Sequence, residues 1–253
     1  MKLTSKILLV LLLLFIGGLF ASNRGLKKEY DGRNKNDIYW TYTKILEQPF
    51  KHLVIHGGNI TKISYEQSKS SSVRVFKEWV EYETYGMKAH VQNDTLYIYF
   101  PNTYDNINMK RWMGYNTLVR VFSPELLSVT GVDTKFEMYK LSQKSISVNM
   151  SGKSYFEVES MEKHFDNIQL QCKDSTELQF EMSPDAKSTE NFYVHFLTAD
   201  IQGASYVDIG RAQIDSLRLN IGDSAGVLLS GGTMRKNPAY ASGTSKQNNK
   251  SYK

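Results

Sequence analysis

The feature that most constrains this chain is a spacing rather than a motif. In VNMSGKSYFEVE, residues 148–159, apolar residues alternate at Val148 and Met150, a short polar corner follows, and the alternation resumes at Phe156 and Val158. LQCKDSTELQFEM does the same twenty-two residues on, with almost none of the same letters. Counted from Met150, Cys172, Ile201 and Ile221, the residue two further on is Gly152, Asp174, Gly203 or Asp223. Four further on come Ser154, Thr176, Ser205 and Ala225, and six further on the apolar pattern restarts at Phe156, Leu178, Val207 and Val227. Gly tolerates a left-handed backbone, and Asp bonds to its own turn. What repeats is therefore geometry: two inward residues, a residue that bends the chain, a small residue where corners stack, and two more inward residues. Parallel strands stacked about 4.8 Å apart would lay like positions over one another.

The second strand of each unit is anchored at Phe136, Phe156, Leu178, Val207 and Val227, at offsets of 20, 22, 29 and 20 residues. Such a period without helical patterning signals a solenoid. The long offset contains an additional alternating run, FYVHF. The first corner, in LSVTGVDTKFEM, reads as carrying one extra residue. Upstream, FKHLVIHG, NITKISYEQ and SVRVFKEWVEYETYG read as strands. VQNDTLYIYFP reads as a hairpin turning at Asn93-Asp94, with Leu96, Ile98 and Phe100 on one face. IYWTYTKILEQ fits a short amphipathic helix or an irregular packed segment. Residues 101–116 break the strand pattern and hold Trp112 and Tyr115.

The opening FKHLVIHGG, the NDTLYIYF hairpin and the corners SGKSYFEV, GASYVDIG and GDSAGVLLSGG resemble the head GIN domain family of bacterial auto-transporter adhesins, over about Phe50 to Gly232. The resemblance implies a right-handed parallel β-helix exported to the cell envelope. The expected fold is accordingly all-β: a single right-handed parallel β-helix, or solenoid, behind an N-terminal hydrophobic segment. The expected organisation is a signal peptide or membrane anchor over 1–22, a connector over 23–49, the β-helix domain over 50–232, and a disordered basic tail over 233–253.

Charge excludes one function class. Residues 1–28 and 235–253 carry ten of the 31 basic residues and no acid, which leaves 21 basic against 26 acidic residues between them, a net charge of −5. The high overall pI thus belongs to the two ends, and a folded part that is mildly acidic does not suit nucleic acid. The single cysteine, Cys172, precludes an intramolecular disulfide and reads as a small core residue.

No pattern in the chain points to catalysis. The five histidines, at 52, 56, 90, 164 and 195, are dispersed. His52 and His56 share a strand face but lack further ligands, and read as exposed polar residues. Asp174 and Asp223 take the same corner position with Gly203 between them, which breaks any carboxylate ladder. Neither catalytic nor cofactor-binding nor metal-ligating residues are expected. The expected function is a non-enzymatic, exported, adhesin-like envelope protein. The alternatives are a carbohydrate-active enzyme on the same fold and an envelope regulatory or stress partner of other membrane proteins. Its partner would be an envelope glycan or protein. Trp112, Tyr115, Tyr155 and Tyr206 are the candidate surface residues, because exposed aromatics suit such ligands.

MKLTSK followed by the 15-residue apolar run ILLVLLLLFIGGLFA marks an export segment. Its cleavage context is poor: Ala21 would stand at −1 with the bulky Leu19 at −3. Lys6 and Arg24 can snorkel and lengthen the run. An uncleaved anchor with the β-rich body on the periplasmic or cell-surface side is therefore expected. Asp94-Thr95-Leu96, Asp174-Ser175-Thr176, Asp215-Ser216-Leu217 and Asp223-Ser224-Ala225 resemble acceptor sites for O-glycosylation of exported proteins, though Asp-Ser is also ordinary turn chemistry. Intact-mass analysis of protein from its native source tests both points. The expected result is a retained N-terminus in the membrane fraction without added hexose mass. A start at Ser22 or Asn23 would show a cleaved signal.

Overall fold

The computed structural model describes residues 3–32, 36–59, 61–80, 86–100, 117–139, 141, 143–159, 164–181, 193–210 and 212–229. The chain divides into two compact units, Met1–Tyr42 and Thr43–Lys253. The first contains α1 (Leu3–Asp31), a helix whose Lys6–Lys28 portion is long and apolar enough to cross a membrane. At about 1.5 Å per residue, those 23 residues exceed the roughly 30 Å of a bilayer's hydrocarbon core. The helix runs on past the expected boundary at residue 22, because Asn23 to Asp31 contains no proline and only one glycine to stop it.

Among the described residues the second unit is all-β apart from one helical turn. Its first sheet holds, in spatial order, β1 (Tyr42–Leu46), β4 (Ser72–Phe76), β7 (Thr117–Ser123), β3 (Lys62–Gln67), β9 (Lys135–Tyr139), β11 (Tyr155–Glu159), β13 (Glu177–Glu181), β15 (Tyr206–Asp208) and β17 (Gly226–Leu228). Its second sheet holds β16 (Gln213–Ile221), β14 (Tyr193–Ile201), β12 (His164–Cys172), β10 (Ser145–Ser151), β8 (Ser128–Val132), β2 (His52–His56), β6 (Thr95–Tyr99) and β5 (Lys88–Gln92). From β8 onward the chain alternates strictly between the sheets, and each strand pairs in parallel with the one two places on. The front is different. β4 pairs antiparallel with β7 and β5 antiparallel with β6, while β2 and β3 are each inserted between two later strands. The molecule therefore has two mixed sheets rather than the single uniform solenoid expected from the spacing. β5 and β6 are antiparallel because the two-residue turn Asn93-Asp94, with φ of 49° and 58°, joins them directly, whereas β4 and β7 pair although β5 and β6 come between them in the chain.

The predicted stacking is present in the register. Phe136, Phe156, Leu178, Val207 and Val227 are successive partners in the first sheet, and Met150, Cys172, Ile201 and Ile221 in the second. All but Ile221 and Val227, at the far end of the stack, are buried. A fully buried Phe such as Phe156 contributes about 1.5–3 kcal/mol by leaving water. Burial among these rows, with Asp200 nearby, pushes the Cys172 thiol up to about 12, so it stays protonated as a core residue. Burial likewise raises the Tyr65 phenol to about 12, and that hydroxyl donates to the Ser123 carbonyl at 3.1 Å.

The corners explain why the letters change. Gly57, Asp133, Gly152, Asp174 and Gly203 all have φ between 52° and 80°, and each lies two residues after an inward residue of the same row. Asp133 accepts a bond from Lys153 N at 2.8 Å, and Asp174 accepts one from Gly152 N at 3.0 Å, so each carboxylate reaches to a neighbouring coil. A side chain on Gly152 would meet the Asp133 carboxylate, and one on Gly203 would lie 2.7 Å from the Asp174 carbonyl oxygen. Asp and Gly alternate because each Asp occupies the space above a Gly. The small residues four places on are hydroxyls with work to do. Ser154 donates to the Ser151 carbonyl at 2.6 Å and accepts from Thr134 N at 3.1 Å, and Thr176 donates to the Lys173 carbonyl at 2.9 Å. The first corner carries one residue fewer than the others, not one extra. Five positions separate inward Gly131 from Phe136, against six from Met150 to Phe156.

Three other expectations change. IYWTYTKILEQ contributes β1, an edge strand. The strand through SVRVF stops at Phe76, where α2 (Lys77–Val80) turns Trp79 inward against Phe100, with ring centroids 6.0 Å apart. The run FYVHF is no additional strand, since from Tyr193 it is the start of β14 itself. The expected disordered tail over 233–253 lies outside the described residues. Gly203→Ala forces an L-residue into a left-handed corner against fixed backbone and should cost about 2 kcal/mol, read as a lower urea midpoint, while Ala204→Ser in the same corner stays within about 0.5 kcal/mol.

Candidate functional site

In-register stacking gives each sheet an outer face of consistent chemistry. The first sheet's face is charged. Lys62 pairs with the buried Glu137, which also accepts the Tyr139 hydroxyl. Glu137 lies beside Glu157, and the column continues through Gln179 to Asp208. Tyr155, one of the residues singled out from sequence, belongs to this network. Its hydroxyl donates to Gln179 at 3.1 Å and to Glu157 at 3.4 Å, and its ring lies 5.3 Å from the Lys135 ammonium. Tyr206 stands in the same column position, 38 % exposed, with its ring over Gly226. Trp112 and Tyr115 lie outside the described residues.

The second sheet's face is of another kind. One row runs Thr95, His52, Ser128, Ser147, Gln169, Thr198, and the next runs Tyr97, Val54, Thr130, Asn149, Gln171, Asp200. From β6 across to β12 these two rows contain no formal charge. Charges stand at the margins: Lys88 on the β5 edge, Lys144 with Asp166 at 3.7 Å along one corner, and Asp200 and Arg218 on the last two strands. Asp200 is itself held by Gln202 at 2.7 Å and Asn220 at 3.0 Å.

At the β5 end of this face four rings form a stack. His56 lies parallel to Tyr99, with centroids 5.1 Å apart at 1°, and His90 lies parallel to Tyr97 at 5.1 Å and 14°. Tyr97 and Tyr99 are side by side on β6, 6.4 Å apart at 3°. Tyr99 thus lies between His56 and His90, and Tyr97 between His90 and Val54. Parallel rings at these separations are offset-stacked, so each covers part of its neighbour's face. Neither phenol hydroxyl has a hydrogen-bond partner among the described residues. His52 is engaged separately, through Nδ1 to Ser128 Oγ at 2.7 Å. His52 and His56 do share a face, as their spacing implied, but one bonds a serine and the other stacks on a tyrosine. Among the described residues no group of three or more His, Cys, Asp or Glu is placed to hold a metal ion.

A second aromatic position lies near the other end. Phe196 is 49 % exposed, and the His195 ring meets it edge-on at 4.1 Å. Asp215 fixes His195 through Nδ1 at 3.0 Å and accepts the Tyr193 hydroxyl. Sequence reasoning missed the ring stack because its members come from three segments, at 56, 90 and 97–99. The available signal was alternation: Tyr97 and Tyr99 occupy the positions between Leu96, Ile98 and Phe100, and His56 shares a strand face with His52.

No protein-family model and no curated protein matches this chain. Among solved structures it is similar in fold to a "putative adhesin" from Bacteroides fragilis, with TM-score 0.53 and 11 % identity over 74 % of this chain and 78 % of that one. A lipid-binding protein so described from Parabacteroides distasonis aligns with TM-score 0.47 at 16 % identity, over 77 % and 82 % of the two chains. Another adhesin so described, from Parabacteroides merdae, aligns with TM-score 0.39 at 14 % identity, over 75 % and 90 %.

The tyrosines of core and face should separate cleanly on mutation. Tyr65→Phe leaves the Ser123 carbonyl and hydroxyl without their buried partner and should lower stability by about 1 kcal/mol. Tyr99→Phe keeps the ring in its stack and should change stability by less than about 0.5 kcal/mol, both measured by urea denaturation.

Proposed function

We propose that this is a non-enzymatic, exported, adhesin-like protein of the cell envelope, tethered by α1 and binding through the outer face of its second sheet. On this reading β8 to β17 wind as a right-handed parallel β-helix, the hand that parallel crossover connections adopt. The observation that carries the proposal is the contrast between the two faces. On the first, charges and the Tyr139 and Tyr155 hydroxyls are engaged with one another. On the second, an uncharged field of hydroxyl and amide side chains ends in two phenols with no partner among the described residues. Side chains that a fold leaves unengaged on a regular surface are available to a ligand. The length and composition of α1 support export and a tether, and the fold similarity to the Bacteroides fragilis protein supports an adhesin-like role. Catalysis would need a preorganised acid, base or nucleophile in a site that excludes water. Asp174 and Asp133, the carboxylates of the corners, are instead engaged in bonds between coils.

The test places charge in the middle of the face. Ser147→Arg with Gln171→Arg should abolish adhesion of protein-coated beads to envelope material while leaving the thermal midpoint within a few degrees, and Glu177→Arg on the other sheet should leave adhesion intact. Equal adhesion by both variants would remove the second sheet from consideration. Turnover of polysaccharide, peptide or ester substrates that is lost in Asp174→Asn would replace binding with catalysis.

A further inference from the structure

We propose that the ligand of the second sheet's outer face is an uncharged polysaccharide, lying across the strands from the His56–Tyr99–Tyr97–His90 stack toward Phe196. This rests on the reading that this face is the binding surface, and it commits that surface to one class of partner.

The chemistry of the face selects the class. From β8 to β12 its two central rows are Ser, Thr, Asn and Gln, and each of these side chains both donates and accepts hydrogen bonds. A sugar hydroxyl also does both, so a chain of sugars can satisfy such a field without any group being left unpaired. The Tyr97 and Tyr99 hydroxyls add two more groups of the same kind. An anionic ligand would call for arginine or lysine in bidentate or clustered arrangement, whereas Lys88, Lys144 and Arg218 stand apart at the margins, Lys144 already beside Asp166. A lipid surface would call for a contiguous apolar patch. The apolar side chains of the field, Val54 and Val132, are separated by Thr130. A protein partner would call for large apolar or arginine anchors at the centre. The centre of this face is Ser147, Asn149, Gln169 and Gln171.

Shape and length agree with this class. The face is the outer surface of an eight-stranded sheet, which suits an extended chain rather than a single enclosed sugar. The ring stack supplies the Tyr97 and Tyr99 hydroxyls at one end, and Phe196 supplies an aromatic surface for the apolar face of a sugar ring at the other. At one end His90 lies on the edge strand and is exposed. At the other Phe196 is half exposed beside His195. Five inter-strand steps separate β6 from β14, and Phe196 lies four residues along β14 from Asp200, which continues the Tyr97 row, so the two ends are about 27 Å apart at roughly 4.8 Å per step and 3.3 Å per residue. A chain must be several sugars long to touch both.

The test uses the full-length chain in detergent micelles against immobilised dextran, mannan, xylan and laminarin as uncharged probes, with alginate and polygalacturonate as anionic ones. Binding to at least one uncharged probe is expected, unchanged between low and high salt because no charge is neutralised. With size-graded oligosaccharides of that probe, affinity should rise until the chain is about 27 Å long and then level off. The double variant Tyr97→Phe, Tyr99→Phe keeps the stack and loses two hydroxyls, and should bind about tenfold more weakly. Phe196→Ala should shorten the length at which affinity levels off. Preference for alginate or polygalacturonate with strong salt dependence would overturn the proposal, as would wild-type affinity in the tyrosine double variant. If no probe binds while Ser147→Arg, Gln171→Arg still abolishes adhesion to envelope material, the ligand is not an uncharged glycan and the binding face stands. If that variant also adheres normally, both readings fall.

Discussion

The structure depends on the left-handed corner and the bond it makes to the coil beside it. A chain that turns back every few residues must bend at a fixed place, and each bend costs strain unless the residue there accepts positive φ. Five corner residues do so at equivalent positions, and two of them are aspartates whose carboxylates bond to backbone N–H groups of the next or previous coil. The bends are thereby joined to one another. Buried hydroxyls of Ser154 and Thr176 satisfy carbonyls that the turn would leave unpaired. With the corners in register, the inward rows follow, and the core is a set of columns rather than a collection of contacts.

Register has a second consequence, on the outside. Residues that stack within the core oblige their neighbours to stack on the surface, so each outer face adds up like with like. In a charged face this is costly, because like charges opposite one another repel. The first sheet handles it by interruption: Glu137 is held by Lys62 and Tyr139, and Gln179 separates Glu157 from Asp208. The second sheet avoids the problem by carrying almost no charge over its central strands. The same arithmetic that makes acidic columns awkward makes a hydroxyl and amide field extensive, and that field is what distinguishes one face of the molecule as a surface for something else.

The candidate site was partly legible. Tyr155 and Tyr206 share one column of the same sheet with Glu177 between them, as their shared corner position implied, but the Tyr155 hydroxyl is already bound to Gln179 and Glu157. Exposure of an aromatic could be read from alternation, whereas engagement of its hydroxyl could not. The histidines illustrate the converse. Dispersed in sequence at 56 and 90, they flank the same pair of tyrosines in space, because β2 and β5 lie on either side of β6. No local pattern carries that adjacency.

What the sequence by itself determined is the periodic part: the inward rows, the corner positions, the Asn93-Asp94 hairpin and the burial of Cys172. These follow from alternation and turn chemistry, which act over a few residues and repeat with the coil. Only the tertiary structure decided the insertion of β2 and β3 between later strands, the antiparallel pairs at the front, and the residues missing from or added to single coils. Each of these depends on which distant segment occupies an open strand edge, and any edge offers the same backbone donors and acceptors whatever its sequence. The side-chain pattern of a strand states which way it faces. It does not state which strand lies beside it, and for this protein that second fact divides the charged face from the uncharged one.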